Sequence, residues 1–362
     1  MKYLLSVIAA MIIYQSASSQ ISITSADMPV AGDTLRYSNA SIVGTVISPG
    51  DSGVSQVWNY GLTLQYQGVD TYKTALAVNP LYVLTIGYTA YGYKVSDSLP
   101  LPGLPVSIQQ VYTFFEKKTS PNSYVAQAWA ASISGIPTPA KFSPADVWYF
   151  FPLTYHRTDS ADYALNVAIP GTGGLKRNGT RYTRVDGWGM LNTPYFTTPV
   201  NCLRVRSVIR EIDSVSFGTF SFGIPVNTVE YKWLATGEHY PALWVTSTLL
   251  PGGGERITSI RYRDSYRDTT TAPPIDTNVA VQNVAKVSED IKAWPNPAVN
   301  GIVTLALPAS WKTFLVEVYD IQSKQVATFM DKRELNLREL PSGHYLARVT
   351  SGINVAYFHI EK

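Results

Sequence analysis

The sequence predicts an all-β protein, with a large antiparallel curved sheet or sandwich as its body and a small β-sandwich at its C-terminal end. Three observations carry this expectation. Short runs that alternate apolar and polar residues recur along the chain, separated by Gly, Pro, Asn and Asp. The 25 glycines and 23 prolines are too closely spaced for long helices. Charged residues make up only 15%, against roughly 25% in an average soluble domain. Tyr (24 copies), Thr and Ser fill the polar positions instead, as suits strands whose wet faces are uncharged.

Taken in order, the chain opens with Met1-Lys2, an apolar run over residues 3–14, and small residues near Ala17 and Ser19. That pattern predicts a secretory signal peptide over 1–19, cut before Gln20. The run is shorter than the roughly 20 residues a membrane span needs. No cysteine stands near the cut, which argues against a lipoprotein, and no later stretch reads as a transmembrane span. The body, 20–268, shows strand patterns at 81–90, 106–115, 124–132, 163–169, 181–185, 203–209, 229–234 and 242–248. No repeat of fixed period appears, which argues against a solenoid or propeller. Cys202 is the one cysteine, so no intrachain disulfide can form. Its setting, Cys202-Leu203-Arg204-Val205-Arg206, predicts a small buried hydrophobe in a strand. Residues 269–290 begin Thr269-Thr270-Thr271-Ala272-Pro273-Pro274 and form a Thr/Pro-rich linker. The net charge of +3, from 29 basic and 26 acidic residues, gives no footprint for nucleic acid.

The tail, 291–362, packs many short strand patterns and tight turns into about seventy residues, the composition of a small Ig-like sandwich. It carries Trp294-Pro295-Asn296-Pro297, then Val318-Tyr319-Asp320, then Leu340-Pro341-Ser342-Gly343-His344-Tyr345, and Gly352 before a last strand. In that order, behind a signal peptide, these elements resemble the type A C-terminal sorting domain of the type IX secretion system. Gln322-Ser323-Lys324 stands where that family usually has a Gly before Lys, and the final strand has fewer lysines than is common. The resemblance implies two partners: the outer-membrane translocon, which recognises the folded tail, and a sortase-like peptidase, which removes it near the linker. Attachment to a surface lipopolysaccharide is implied as well. The competing reading is a fibronectin-like or carbohydrate-binding sandwich that merely ends the chain.

Catalysis at neutral pH needs placed acids, bases or a metal, and the body offers few. It holds two histidines, His156 and His239, and lacks His-Glu-x-x-His, Gly-x-Ser-x-Gly and a phosphate loop. Asp159 with Asp162, and Glu211 with Asp213, are carboxylate pairs of the kind a glycosidase uses, but they read as turn caps between strands. No catalytic residue, metal ligand set or cofactor is therefore expected. Aromatics are the stronger feature, with Trp148, Trp188, Tyr195, Trp233 and Tyr240 as candidate ligand-lining residues for a glycan or lipid. The plain alternative is that they fill the sheet core. The segment from Gly179 through Asp186-Gly187-Trp188-Gly189, read as strand, small-residue turn and strand, distantly resembles periplasmic curved-sheet carriers of the lipoprotein-carrier type. That likeness implies a half-barrel whose concave face binds an apolar ligand. The opening, Ile23-Thr24-Ser25-Ala26-Asp27-Met28-Pro29, resembles uncharacterised secreted proteins with the same tail and implies no activity. The leading expectation is a non-enzymatic surface or secreted binding module. The alternatives are a polysaccharide hydrolase and a structural or adhesive surface component.

Overall fold

The computed structural model describes residues 21–99, 107–265 and 292–362, apart from 43–44, 46, 49, 170–172, 218–219, 251–253, 310, 312, 321–323 and 352–353. The expected signal peptide, the linker and Gly352 lie outside the described residues. A 3-10 turn, Ser25–Asp27, comes first, capped by Thr24, whose backbone N–H donates to Asp27 in return. Then follow β1 (Thr34–Ala40), β2 (Gly53–Asn59), β3 (Leu64–Thr71) and β4 (Lys73–Thr74), and two short helices, α1 (Ala75–Val78) and α2 (Tyr82–Ile86). The rest of the body is strand: β5 (Tyr91–Leu99), β6 (Ile108–Thr119), β7 (Asn122–Ile133), β8 (Ile136–Phe150), β9 (Thr158–Ile169), β10 (Gly173–Asn192), β11 (Val200–Phe217), β12 (Phe220–Leu234), β13 (Leu243–Leu249) and β14 (Glu255–Arg263).

All of these strands join one sheet in the order β3-β1-β14-β13-β12-β11-β10-β9-β8-β7-β6-β5-β4, with β2 added in parallel along the free end of β10. The other pairings are antiparallel, as the alternating patterns predict. Tyr72 links β3 to β4, and its backbone N–H and C=O bond to Asp33 and Gly32 at 2.8 Å. The two ends of the sheet thus meet beside the start of β1, and the sheet nearly closes.

Alternation sorts each strand between two buried layers. On β12, Leu234 joins the interior core with Val185, Leu203, Val205, Tyr163 and Phe115. Val229, Tyr231 and Trp233 point outward and are covered too, by Ile47 and Trp58 from the 41–59 segment. Elsewhere the outer face is covered by α1 and α2, which lay Ala75, Tyr82 and Ile86 on Phe114, Ala128 and Ala130. A sheet buried on both faces is more apolar than one wet on one side.

Two local expectations are corrected. Residues 81–90 read as a strand, yet Tyr82–Ile86 is helical. The Asn79 side chain accepts the Leu81 N–H at 2.9 Å, Pro80 suits the turn that leads in, and the buried positions 82, 83 and 86 have helical spacing. Nor is there a turn at Asp186-Gly187: β10 runs on through both, with Asp186 as the extra residue of a β-bulge opposite Val205 and Arg204. The glycines that follow make room for β2. A Cβ on Gly189 would stand 2.0 Å from the Gln56 carbonyl oxygen.

The tail contains β15 (Lys292–Val299), β16 (Ile302–Ala306), β17 (Leu315–Tyr319), β18 (Gln325–Met330), β19 (Glu334–Asn336), β20 (His344–Ser351) and β21 (Asn354–Glu361). They form two sheets, β15-β16-β19 and β18-β17-β20-β21. Val303, Leu305 and Leu335 of the first share one core with Val316, Val318, Ala347, Val349 and Ile360 of the second. Asn300 (φ 53°) and Gly301 (φ 68°) supply the two left-handed residues of the β15–β16 hairpin.

Candidate functional site

The interior of the body is filled by aromatic rings and a chain of buried charges. Arg181 on β10 grips Asp146 on β8 with two 2.7 Å bonds and reaches Glu230 on β12 at 3.0 Å. Lys232, two residues along and on the same face, bonds Glu230 at 3.0 Å. Its ammonium lies 3.8 Å from the centre of the Trp148 ring and 4.2 Å from that of Trp244. Burial lowers the Lys232 pKa to about 8, against the opposing pull of Glu230. Burial alone would raise Glu230, but Lys232 and Arg181 together hold it below the usual carboxylate range. Nearby, Arg261 sits 4.5 Å from the Tyr37 ring and 4.0 Å from Asp70. Burial pushes the Asp70 pKa up to about 6, with Arg261 and Tyr240 acting against it.

Beside this network lies a cavity of about 30 Å³ lined by Tyr72, Tyr93, Tyr124, Trp148, Tyr149, Tyr240 and Trp244. Asp27, Met28, Pro29, Leu234, Ala235, His239 and Pro241 complete the lining. That volume admits about two water-sized groups, since one needs roughly 10–15 Å³. The Trp244 indole N–H and the Tyr124 and Tyr240 hydroxyls are buried without a partner in hydrogen-bond geometry. Tyr72 stands close enough to Tyr124, and Asp70 to Tyr240, for a side-chain hydrogen bond to act on their ionisation, so the Trp244 N–H is the donor of the three without such a neighbour. Among the lining residues, His239 (φ 56°) pairs with Asp33 at 2.9 Å, and Asp27 accepts the Gly237 N–H at 2.8 Å.

The five aromatics singled out by sequence do not form one site. Trp148 and Tyr240 line the cavity. Trp188 is half-buried against the same interior core. Trp233 is fully buried in the outer layer, edge-on to Trp58 at 5.8 Å and beside Arg204. Tyr195 lies in the connection after β10, under the Arg263 guanidinium at 5.2 Å. Cys202 is buried in that outer layer, and burial pushes its thiol pKa up.

The carboxylate pairs are not turn caps, contrary to expectation, but strand residues; Asp162, Glu211 and Asp213 have partners on the neighbouring strand β10, and Asp159 has one just before β9. Asp159 and Asp162 lie on β9, where Asp159 takes Arg157 at 2.7 Å and Asp162 takes Thr180 at 2.6 Å. Glu211 and Asp213 lie on β11; both pair with Arg177, and Glu211 also accepts from Tyr163. His156 is exposed against Tyr155, while Glu238 pairs with Arg263 at 3.6 Å. Sequence reasoning missed Arg181, Glu230, Lys232 and Asp70. A trace of them stands in Glu230-Tyr231-Lys232-Trp233, where charges occupy the positions that alternation assigns to the inner face.

In the tail, the motif residues do identifiable structural work. Asn296 donates from Nδ2 to the His359 carbonyl and accepts the Glu361 N–H, both at 2.8 Å. Its carboxamide thus behaves as a strand residue and ties β15 to β21. Val318 is in the core, and Tyr319 is buried on the opposite face beside Arg348. Asp320 closes the turn toward β18 by exchanging two 3.0 Å bonds with Lys324. Leu340 donates its N–H to Leu337 at 3.0 Å, Tyr345 donates its hydroxyl to the Pro341 carbonyl at 2.6 Å, and Gly343 exchanges two backbone bonds with Lys362.

Residues 292–359 match the family of secretion system C-terminal sorting domains. This is the type IX tail that the sequence resembles, and it indicates export by that system to the cell surface or the extracellular space. No curated protein and no solved structure matches the chain.

Proposed function

We propose, from the premise of a C-terminal sorting domain, that the chain divides into a signal peptide (1–19), a body (20–268), a linker (269–290) and an Ig-like sorting domain (291–362). The translocon recognises the folded tail, and the sortase-like peptidase cuts near the linker. The body is a non-enzymatic module that binds a hydroxylated ligand, a glycan above all, at the aromatic cavity. The observation that carries this reading is the unpartnered Trp244 N–H in a wall of aromatic rings that includes Tyr124 and Tyr240, around a void of about 30 Å³. Buried polar groups normally find partners, and aromatic walls with free donors suit sugar hydroxyls better than an acyl chain. The void takes only the tip of such a ligand, for example a hydroxymethyl group.

The test is a glycan and lipid screen on the secreted protein, followed by Tyr124→Phe and Tyr240→Phe. Each change removes one hydroxyl and keeps the ring. Affinity for the captured ligand is expected to fall about tenfold, the size of one lost hydrogen bond. Unchanged affinity in both variants refutes the cavity as the binding site. Trp188→Ala tests aromatic recognition outside it. The pairing of the cavity residue His239 with Asp33 favours a second reading, a hydrolase acting on the bound glycan. Turnover that disappears in His239→Gln would establish it in place of simple binding.

A further inference from the structure

We propose that the C-terminal end of the tail binds a divalent transition metal of the zinc class through His344 and His359, with Glu361 as third ligand. The antiparallel pairing of β20 with β21 sets His344 opposite Glu361 and Leu346 opposite His359. Residues opposite each other share a face, and so do residues two apart on one strand. His344, His359 and Glu361 therefore stand on one face of the sheet, and all three are exposed.

The two imidazoles already meet. Nδ1 of His344 is 3.0 Å from Nε2 of His359, with ring centres 5.0 Å apart and planes 29° from parallel. Imidazole binds zinc at about 2.0–2.1 Å, so two nitrogens on a tetrahedral ion stand about 3.3 Å apart. The ion needs that contact opened by a few tenths of an ångström and both rings turned so that Nδ1 of His344 and Nε2 of His359 converge on it. No three potential ligands among the described residues already converge on one point, so Glu361, which acts electrostatically on His359, must swing in. Water would complete the coordination.

The backbone under the pair is held on both sides. Asn296 clamps the His359 carbonyl and the Glu361 N–H, and Gly343, next to His344, is locked to Lys362 by two bonds. A metal arriving there orders only side chains, which keeps the entropic cost of binding low. Imidazole suits zinc, copper and nickel, whereas calcium and magnesium prefer oxygen ligands.

The experiment is calorimetric titration of zinc chloride into the untagged chain 20–362, which keeps the tail. The expected result is one equivalent bound in the micromolar range. His344→Gln and His359→Gln should each weaken binding at least tenfold, Glu361→Gln should weaken it less, and His156→Gln and His239→Gln should leave it unchanged. All five positions are exposed or partly exposed, and a melting curve verifies that each variant is folded. A wild-type chain that takes up no zinc, or His359→Gln binding as tightly as wild type, overturns the site.

Discussion

Burial moves the ionisation of two interior side chains in opposite directions, and each shift becomes a dependence of stability on pH. Asp70 titrates near 6 in the fold, against an ordinary value of 3.8. Between those values the folded chain keeps a proton that the unfolded chain has released, so stability falls as pH rises from about 4 to 6. Lys232 titrates near 8, against 10.5. Between 8 and 10.5 the unfolded chain holds the extra proton, so this group makes stability rise with pH. The cost of its buried charge is fully present below 8. Asp70→Asn should therefore remove a loss of up to about 3 kcal/mol between pH 4 and 6, from a shift of about two units at 1.36 kcal/mol each. Urea midpoints of wild type and variant across that range read the difference. Parallel curves would mean that Asp70 is ionised in the fold as it is in water. Glu230, held low by Lys232 and Arg181, contributes the opposite slope at lower pH, and it is common to both proteins.

At the scale of elements, the close approach of β2 to β10 is the contact a single methyl group can break. A Cβ at residue 189 would stand 2.0 Å from the Gln56 oxygen and 2.5 Å from its nitrogen, and neither backbone atom can yield without moving the strand. Gly189→Ala should cost about 2 kcal/mol or more, as overpacking does, and should open the 41–59 segment to protease. An unchanged melting temperature and cleavage pattern would show that β2 does not hold its place on β10. This contact also explains what the sequence conveyed and what it hid. Antiparallel neighbours declare themselves, because each strand carries its own alternation and hairpins join strands adjacent in the chain; β6, β7 and β9 through β13 were legible for that reason, in part of their length. The parallel β2–β10 pairing joins Gln56 to Gly189, far apart in sequence. Nothing local at either end encodes it, and Gly187 and Gly189 looked like a turn. The layer over Trp233 was hidden with it, so a buried ring read as a candidate for ligand contact. The cavity was half legible: Trp148 and Tyr240 stood out as rings, whereas the loop geometry that brings His239 to Asp33 leaves no pattern in the chain.

For the whole molecule, the question is whether folding of the body and delivery of the chain are separable. The body cores draw on residues 23–260s and the tail core on residues from 293 onward, with no member in common. A hydrogen bond between them runs from Arg348 Nη1 to the Pro225 carbonyl at 3.4 Å, a long bond beside the tighter 2.6 Å pair of Arg348 with Glu317. Removing residues 346–362 takes away β21 and most of β20, and with them Ala347, Val349, Ala356 and Ile360 from the tail core. It also removes His359 and Glu361, the two backbone partners of Asn296. The remaining tail strands keep the β15-β16-β19 sheet and the β17–β18 pair, with the apolar faces between them stripped of Ala347, Val349, Ala356 and Ile360, so the tail core is broken. Among the described residues the body core loses no member, and the body gives up the Arg348 bond to Pro225 and the interaction of Tyr357 with Asp213. The truncated chain should therefore melt with the body transition intact, lack the tail transition, and accumulate in the periplasm instead of reaching the surface. Fractionation with calorimetry on the same protein separates the cases. Surface delivery at the wild-type level would show that export does not read the folded tail, and loss of the body transition would show that the two units fold as one.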